Sequence, residues 1–144
     1  MFNSYSNISI KTSANALDAE TKALHLLRKW GFSYVQQIDW LAKNDNGEWL
    51  AVEVKDKELF TPGSNFPHYG IGLNRAQLFL RHKLLEELGF RTYLINFVPG
   101  TDEVYGAYLD ELEGKGKFFD SKNHIRIYPL SSFTKLTWGG GGNG

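Results

Sequence analysis

The fold of this chain is decided by residues 38–55, whose sequence is IDWLAKNDNGEWLAVEVK. Residues 44–47 (Asn-Asp-Asn-Gly) favour the positive φ angles of a tight reversal, so the stretch predicts a β-hairpin. In the second strand every second side chain shares a face, which places Glu53 beside Lys55. Both faces of this strand begin with apolar residues, as in a strand that is covered on both sides. We therefore expect two charged side chains near the end of a buried strand.

Charged side chains in a buried strand need a partner, because removing a charge from water costs free energy unless something pairs with it or binds it. Glu53 and Lys55 are two such charges, and Asp39 on the partner strand is a third that can converge on them. Groups of this kind are typical of functional sites. The alternative is an edge strand that carries a solvated Glu–Lys pair.

The order of these residues resembles the catalytic signature of the PD-(D/E)XK nucleases, the restriction-endonuclease-like superfamily. Asp39 matches the first acid, and Glu53, Val54 and Lys55 match the acid-x-lysine segment after a short hairpin. The sequence departs from the pattern at Ile38, where the superfamily often has proline. The resemblance covers about residues 13–98. It implies an α/β fold with a restriction-endonuclease-like core, in which helices flank a mixed central β-sheet in the order α-β-β-β-α-β.

A helix is predicted from residue 13 to about residue 30, because apolar residues recur at spacings of three and four and Gly31 can end it. Glu20 lies in the middle of this apolar stripe, which points its carboxylate toward the core. The alternative is a rim glutamate that bends out to solvent or pairs with a buried base. The resembled nucleases carry an acid on the helix before the first strand, and Glu20 occupies that place.

A second helix is predicted from about residue 73 to residue 87, with Asn74 as its cap and Gly89 as its stop. Gln77 is the polar member of its apolar stripe, and an internal hydrogen-bonding glutamine is the alternative interpretation. Holliday-junction resolvases and recombination exonucleases of the resembled superfamily carry a Gln on the helix after the acid-x-lysine strand. Gln77 resembles that residue in spacing and context.

The remaining segments predict one domain over residues 1–138 and a flexible glycine-rich tail over residues 139–144. Prolines and glycines in residues 61–70 predict an irregular flap beside the site. The glycines and lysines of residues 114–117 predict a flexible basic loop, either a phosphate contact or a solvated turn. Strands are predicted at residues 32–37 (separate from, or continuous with, 38–43), 91–98, 104–109 and 125–128.

Composition excludes several classes of protein. The absence of cysteine excludes disulfides and thiolate metal sites, which leaves oxygen and imidazole ligands. No apolar run approaches the roughly 20 residues of a membrane span, and no basic-then-apolar leader opens the chain, so we expect a cytoplasmic protein. Sixteen basic and 16 acidic residues give a net charge of zero. Net charge therefore does not itself indicate nucleic-acid binding, and any electrostatic attraction for nucleic acid has to come from a local cluster of basic residues.

The resemblance implies hydrolysis of DNA phosphodiester bonds with Mg²⁺, for which Mn²⁺ is expected to substitute. Mg²⁺ prefers hard oxygen ligands and activates water for such reactions. Lys55 would polarise the attacking water, and Gln77 would position Lys55, a water or a phosphate. The implied catalytic residues are Glu20, Asp39, Glu53, Lys55 and Gln77, and the implied metal ligands are Asp39, Glu53, the Val54 carbonyl and Glu20.

Local charge predicts where DNA would bind. Between residues 57 and 85, four Lys and Arg residues minus one Glu give a charge of plus three. Contacts of these residues with phosphates would be salt-sensitive and largely blind to sequence, and an ordinary surface role is the alternative. The predicted DNA-binding residues are Lys57, His68, Tyr69, Arg75, Arg81 and Lys83.

Three functions are open at this point. The first is a structure-specific endodeoxyribonuclease resembling the small Holliday-junction resolvases, which would act as a homodimer because paired incisions need two sites. The second is a sequence-specific homing or restriction-type endonuclease, or an exonuclease, of the same fold. The third belongs to another class: a non-catalytic module that keeps the fold and binds nucleic acid.

Overall fold

The computed structural model describes residues 13–63, 66–120 and 124–137. The polar segment over residues 1–12 and the predicted tail over residues 139–144 lie outside the described residues. The chain divides into two compact units, Met1–Gln37 and Ile38–Gly144, and each is described by itself. No helix in the described part of the chain has the length and apolar character to cross a membrane. The grouping of residues 1–138 into one nuclease-like domain stays a prediction.

The first unit contains the predicted helix α1, which spans Ser13–Lys29. Gly31 adopts a φ of 98° directly after it, a left-handed conformation that favours glycine and ends the helix. The Phe32 amide donates to the Leu27 carbonyl at 3.0 Å and closes this end. The strand predicted over residues 32–37 is wrong. These residues form no strand, because in the described part of the chain no ladder of backbone hydrogen bonds pairs them with a neighbour.

The second unit is built on a five-stranded sheet with the strand order β1-β2-β4-β5-β8. Strands β2 and β4 run parallel over seven residue pairs, and the other neighbours are antiparallel. The predicted α/β fold class with a mixed central sheet and the order α-β-β-β-α-β is therefore confirmed. The strands of this sheet are β1 (Trp40–Lys43), β2 (Trp49–Asp56), β4 (Arg91–Phe97), β5 (Val104–Tyr108) and β8 (Thr134–Leu136).

The predicted hairpin joins β1 to β2, with Trp40 opposite Val52 and Lys43 opposite Trp49. The Asn44 side chain accepts hydrogen bonds from the backbone amides of residues 46 and 48, both at 2.9 Å. Gly47 alone takes a positive φ in this turn, 86°. The reversal therefore depends on an Asx-type turn at Asn44 followed by one left-handed glycine.

A second, three-stranded sheet in the order β3-β7-β6 was not predicted. Its strand β3 occupies the end of the predicted flap and delays the start of the second helix, α2, to Arg75. The Asn74 cap and the Gly89 stop of α2 are confirmed, the latter with a φ of 74°. The additional elements are β3 (Gly70–Asn74), α2 (Arg75–Leu88), β6 (Lys117–Asp120), β7 (Ile125–Pro129) and two short 3-10 turns, Leu109–Leu112 and Leu130–Ser132.

The hydrophobic core of the second unit joins the two sheets. Leu94 and Ala107 from the central sheet pack in one buried cluster with Ile71 and Tyr128 from the smaller sheet. The face of β2 that carries Glu53 is the same face of the sheet as Leu94, because the two residues are register partners. The charged residue of the predicted site therefore lies on the core-facing side of the central sheet.

Candidate active site

Glu53 lies in the middle of β2 on a face that is closed to solvent. Its side chain is 7% exposed, and its neighbours on the same face are the buried Ala51 and the half-buried Lys55. Its register partner on β4, Leu94, is fully buried. A carboxylate in this position has lost most of its hydration, so it needs hydrogen-bond donors from the protein.

Two donors from α2 bind the Glu53 carboxylate. The Gln77 side-chain amide donates to one oxygen at 2.5 Å, and the Arg81 guanidinium donates to the other at 2.6 Å. Gln77 and Arg81 are four residues apart and therefore project from the same side of the helix. Because Arg81 is only 4% exposed, the two charges form a buried ion pair. Charge-assisted hydrogen bonds of this kind offset the cost of removing both charges from water.

The first turn of α2 is fixed by Asn74. Its side-chain oxygen accepts from the backbone amides of Ala76 and Gln77, at 2.9 and 3.2 Å. This cap satisfies two of the amides that the first turn of a helix leaves without partners. It also sets the position from which the Gln77 side chain reaches Glu53.

Asp39 directly precedes β1 and is exposed. The β1–β2 register begins at the next residue, Trp40, which pairs with Val52. The Asp39 carboxylate accepts a hydrogen bond from the Val54 amide at 2.8 Å. Because the N–H and C=O of a strand residue project to the same side, the Val54 carbonyl points toward the Asp39 side of β2.

Lys55 is the charge of the site that is left without a carboxylate. It is half-buried, on the same face as Glu53, with Asn96 of β4 as its register partner. Among the described residues no acidic side chain lies within ion-pair distance of its ammonium group. The Gln77 side-chain amide binds Glu53, and its expected role in positioning Lys55, a water or a phosphate stays a prediction.

Glu20 belongs to the first unit. Its carboxylate accepts a hydrogen bond from the Gln37 side-chain amide at 2.9 Å, within the same unit. Its role beside Asp39 and Glu53 stays a prediction. Across the residues with described side chains, no three His, Asp or Glu residues form a group that could hold a metal ion. The oxygen donors of the second unit that are suited to Mg²⁺ are the Asp39 and Glu53 carboxylates and the Val54 carbonyl.

The predicted DNA-binding residues lie in two kinds of environment. Arg81 is a correction: it is buried on Glu53 rather than exposed to a phosphate, because it projects from the same face of α2 as Gln77. Lys83 is partly exposed and pairs with Glu87 at 3.5 Å. The other four residues, Lys57, His68, Tyr69 and Arg75, are exposed, so their contact with DNA stays a prediction.

The sequence reasoning missed Arg81 as the partner of Glu53. The signal that could have found it is the spacing of four between Gln77 and Arg81, since both residues project from one side of α2. A buried carboxylate on β2 needs a cation, and Arg81 is the cation on that side. Asn96 was also missed. It is fully buried beside Lys55, and its side-chain amide donates to the Lys57 carbonyl at 3.1 Å, which fixes the exit of the chain from β2.

Comparison with known proteins yields a distant structural likeness. The chain is similar to a solved structure of Hjc, a Holliday junction resolvase from the archaeal hyperthermophile Archaeoglobus fulgidus, with 16% sequence identity and a TM-score of 0.44. The match covers 83% of this chain and 88% of that chain. No protein-family model matches the sequence, and no curated protein matches it.

Proposed function

We propose that this protein is a metal-dependent endodeoxyribonuclease that hydrolyses DNA phosphodiester bonds. Two observations support this function: the Asp39 carboxylate accepts a hydrogen bond from the Val54 amide, next to Glu53 on β2, and Gln77 binds the Glu53 carboxylate. The sequence predicted these residues as one site although they come from three separate elements. Lys55 adds an ammonium group on the same face.

The oxygen donors fit a hard divalent cation. Asp39 uses one carboxylate oxygen to hold the Val54 amide, and its other oxygen and the Val54 carbonyl would hold Mg²⁺ or Mn²⁺ together with Glu53. Such an ion, when bound, supplies Lewis-acid polarisation of the phosphate and lowers the pKa of a bound water. Lys55 stabilises the negative charge that develops on the phosphate oxygens. Gln77 and Arg81 hold the Glu53 carboxylate in place, so the carboxylate does not have to reorient during the reaction.

The preferred substrate under this proposal is branched DNA, cut by a homodimer with one site on each subunit. The exposed basic residues Lys57 and Arg75 border the site in sequence and would contact the phosphate backbone. Phosphate contacts position DNA without reading bases, as a structure-specific enzyme requires.

A second candidate function is favoured by the hydrogen bonds that both carboxylate oxygens of Glu53 already accept. Arg81 and Gln77 occupy both oxygens of its carboxylate, so Glu53 also fits a purely structural role. In that case the protein is a non-catalytic nucleic-acid-binding module of the same fold. The two functions differ in what Asp39 and Lys55 do, since neither belongs to the Glu53–Arg81 pair.

The experiment that separates them is a cleavage panel with Mg²⁺ and with Mn²⁺ over four-way junction, flap, linear duplex and single-stranded DNA. The informative variants are Asp39→Asn, which keeps an oxygen for the Val54 amide, and Lys55→Met, which keeps the apolar stem. Asp45→Asn at the hairpin tip and Lys135→Met on β8 are controls that remove the same charges elsewhere.

We expect the wild-type protein to cut the junction and both controls to retain its rate. We expect Asp39→Asn and Lys55→Met to lose at least about a hundredfold in rate, as befits removal of groups that stabilise the transition state. Wild-type-like cleavage in either site variant would refute the assignment. No cleavage of any substrate, together with no heat of Mg²⁺ binding in calorimetry, would establish the non-catalytic module.

A further inference from the structure

The Glu53 carboxylate is both a proposed metal ligand and the ion-pair partner of an arginine. The Arg81 guanidinium donates to one carboxylate oxygen at 2.6 Å, and the Gln77 side-chain amide donates to the other at 2.5 Å. A divalent cation at this site would therefore bind a carboxylate whose two oxygens already accept hydrogen bonds from α2.

Of these two donors, Arg81 is the one that opposes a metal ion. A carboxylate has about four lone-pair positions, so two hydrogen bonds do not by themselves exclude a metal ion. Gln77 is neutral, whereas the guanidinium of an arginine keeps its positive charge in proteins. A positive charge on one carboxylate oxygen repels a second cation that binds to the same carboxylate.

Burial makes this repulsion strong. The Arg81 and Glu53 side chains are only 4% and 9% exposed, so little water screens the charges of the pair. Helix α2 is also fixed at both ends, by the Asn74 cap and by the left-handed Gly89. The helix therefore keeps the guanidinium next to the carboxylate.

The formal charge of the proposed site leads to the same expectation. Asp39 and Glu53 contribute minus two and Arg81 and Lys55 contribute plus two, so the sum is zero. A divalent cation would enter a site that has no net negative charge to attract it. Without Arg81, the same site would carry a charge of minus one.

We propose that Arg81 competes with the divalent cation for Glu53 and thereby lowers the metal affinity of the site. Thermodynamic linkage makes such an effect reciprocal. Arg81 weakens the binding of the metal ion, and a bound metal ion weakens the Glu53–Arg81 pair. The inference rests on the proposed nuclease function, because it concerns the same metal site, and it adds a residue that regulates this site from outside the ligand set.

The test is calorimetric titration of the full chain with Mn²⁺, without DNA. Arg81→Gln removes the charge and keeps an amide as a donor, and Arg81→Lys keeps the charge. We expect Arg81→Gln to bind Mn²⁺ at least tenfold more tightly than the wild-type protein, and Arg81→Lys to stay within threefold of it. The control Lys135→Gln removes a positive charge from β8, three strands away from β2 in the sheet, and should stay within twofold.

The reciprocal half of the proposal is measured by urea unfolding with and without Mg²⁺. A ligand stabilises the folded state more when it binds that state more tightly. At about 10 mM Mg²⁺, the urea midpoint of Arg81→Gln should therefore rise by at least twice the shift of the wild-type protein. Equal shifts would contradict the competition.

The possible results distinguish this inference from the function on which it rests. Equal or weaker Mn²⁺ binding in Arg81→Gln would overturn the inference alone, because the metal site would still be present. No saturable Mn²⁺ binding in any of these proteins would contradict the proposed nuclease function as well. If Arg81→Gln does not fold, the wild-type protein supplies the measurement: saturation with Mg²⁺ should shift the NMR signals of the Arg81 guanidinium, and unchanged signals would refute the competition.

Discussion

Replacing Arg81 with methionine should destabilise the second unit more than any other single change to the site. The Arg81 guanidinium lies 2.6 Å from the Glu53 carboxylate, and both side chains are at least nine-tenths buried. Arg81→Met keeps most of the apolar volume but leaves Glu53 charged, buried and held only by Gln77. Breaking a buried pair in this way costs about 3–5 kcal/mol, mostly because one charge loses its partner.

The second half of the prediction is that removing both charges restores stability. In Glu53→Gln/Arg81→Met, the buried carboxylate is gone and Gln77 retains an amide oxygen as a hydrogen-bond acceptor. Replacing both members of a buried pair is often neutral or stabilising. We therefore expect the double variant to recover at least about 2 kcal/mol of the loss, a coupling in the range of directly interacting neighbours.

The measurement is urea unfolding of the wild-type protein, both single variants and the double variant, followed by tryptophan fluorescence. Trp40 and Trp49 lie on the two strands of the hairpin and report on the unit that contains the pair. With a slope of about 2 kcal/mol per molar urea, a loss of 3–5 kcal/mol lowers the midpoint by roughly 1.5–2.5 M. An unchanged midpoint in Arg81→Met, or a double variant no more stable than Arg81→Met, would refute the view that the pair is a buried and coupled unit.

Three further predictions concern the framework of the site. Gly70→Ala should cost about 1–3 kcal/mol in urea unfolding, because a Cβ there would lie 2.7 Å from the backbone carbonyl of residue 128; Gly63→Ala, with open space around it, is the control. Asn74→Ala should cost about 0.5–2 kcal/mol and lower cleavage by displacing Gln77, with Asn74→Asp rescuing both readouts. Burial and a hydrogen bond to a glutamate raise the pKa of the Tyr105 hydroxyl, so this hydroxyl keeps its proton to a higher pH in the folded protein than in the unfolded chain. The stability that Tyr105 contributes is therefore complete below about pH 10 and is lost as pH rises through the folded pKa. In Tyr105→Phe the urea midpoint should fall less steeply in alkali than in the wild-type protein, and an identical fall would contradict this.

The parts of the fold that local sequence determines were predictable. The hairpin follows from residues 44–47, whose Asn and Gly chemistry closes the turn. Helix α2 follows from its cap and stop, because Asn74 and Gly89 act on the backbone of their own neighbours. The alternation of β2 placed Glu53 and Lys55 on one face. The need of Gln77 for a polar partner also came from pattern, because it is one polar residue in an apolar stripe, but the pattern did not identify Glu53 as that partner.

The parts that depend on distant pairing were not predictable. Strand β3 is short, and two of its first three residues are glycines, which are uncommon in strands. It becomes a strand because β7, more than fifty residues later, pairs with it. A single sequence does not indicate which segments that lie far apart along the chain will pair as strands. The burial of Arg81 has the same origin: an arginine on a helix is usually solvated, and only the location of Glu53 under α2 makes it internal.

The charges of the site do not all have a structural use. Arg81 and Gln77 satisfy Glu53, and the Val54 amide satisfies one oxygen of Asp39. A network that served stability alone would include no further half-buried charge, because such a charge adds a desolvation cost that no ion pair offsets. Lys55 is such a charge: it shares the face of Glu53, and no described carboxylate lies within ion-pair distance. Under the proposed nuclease function Lys55 would contact the negatively charged substrate, so Lys55→Met tests that function more directly than any change to the Glu53–Arg81 pair.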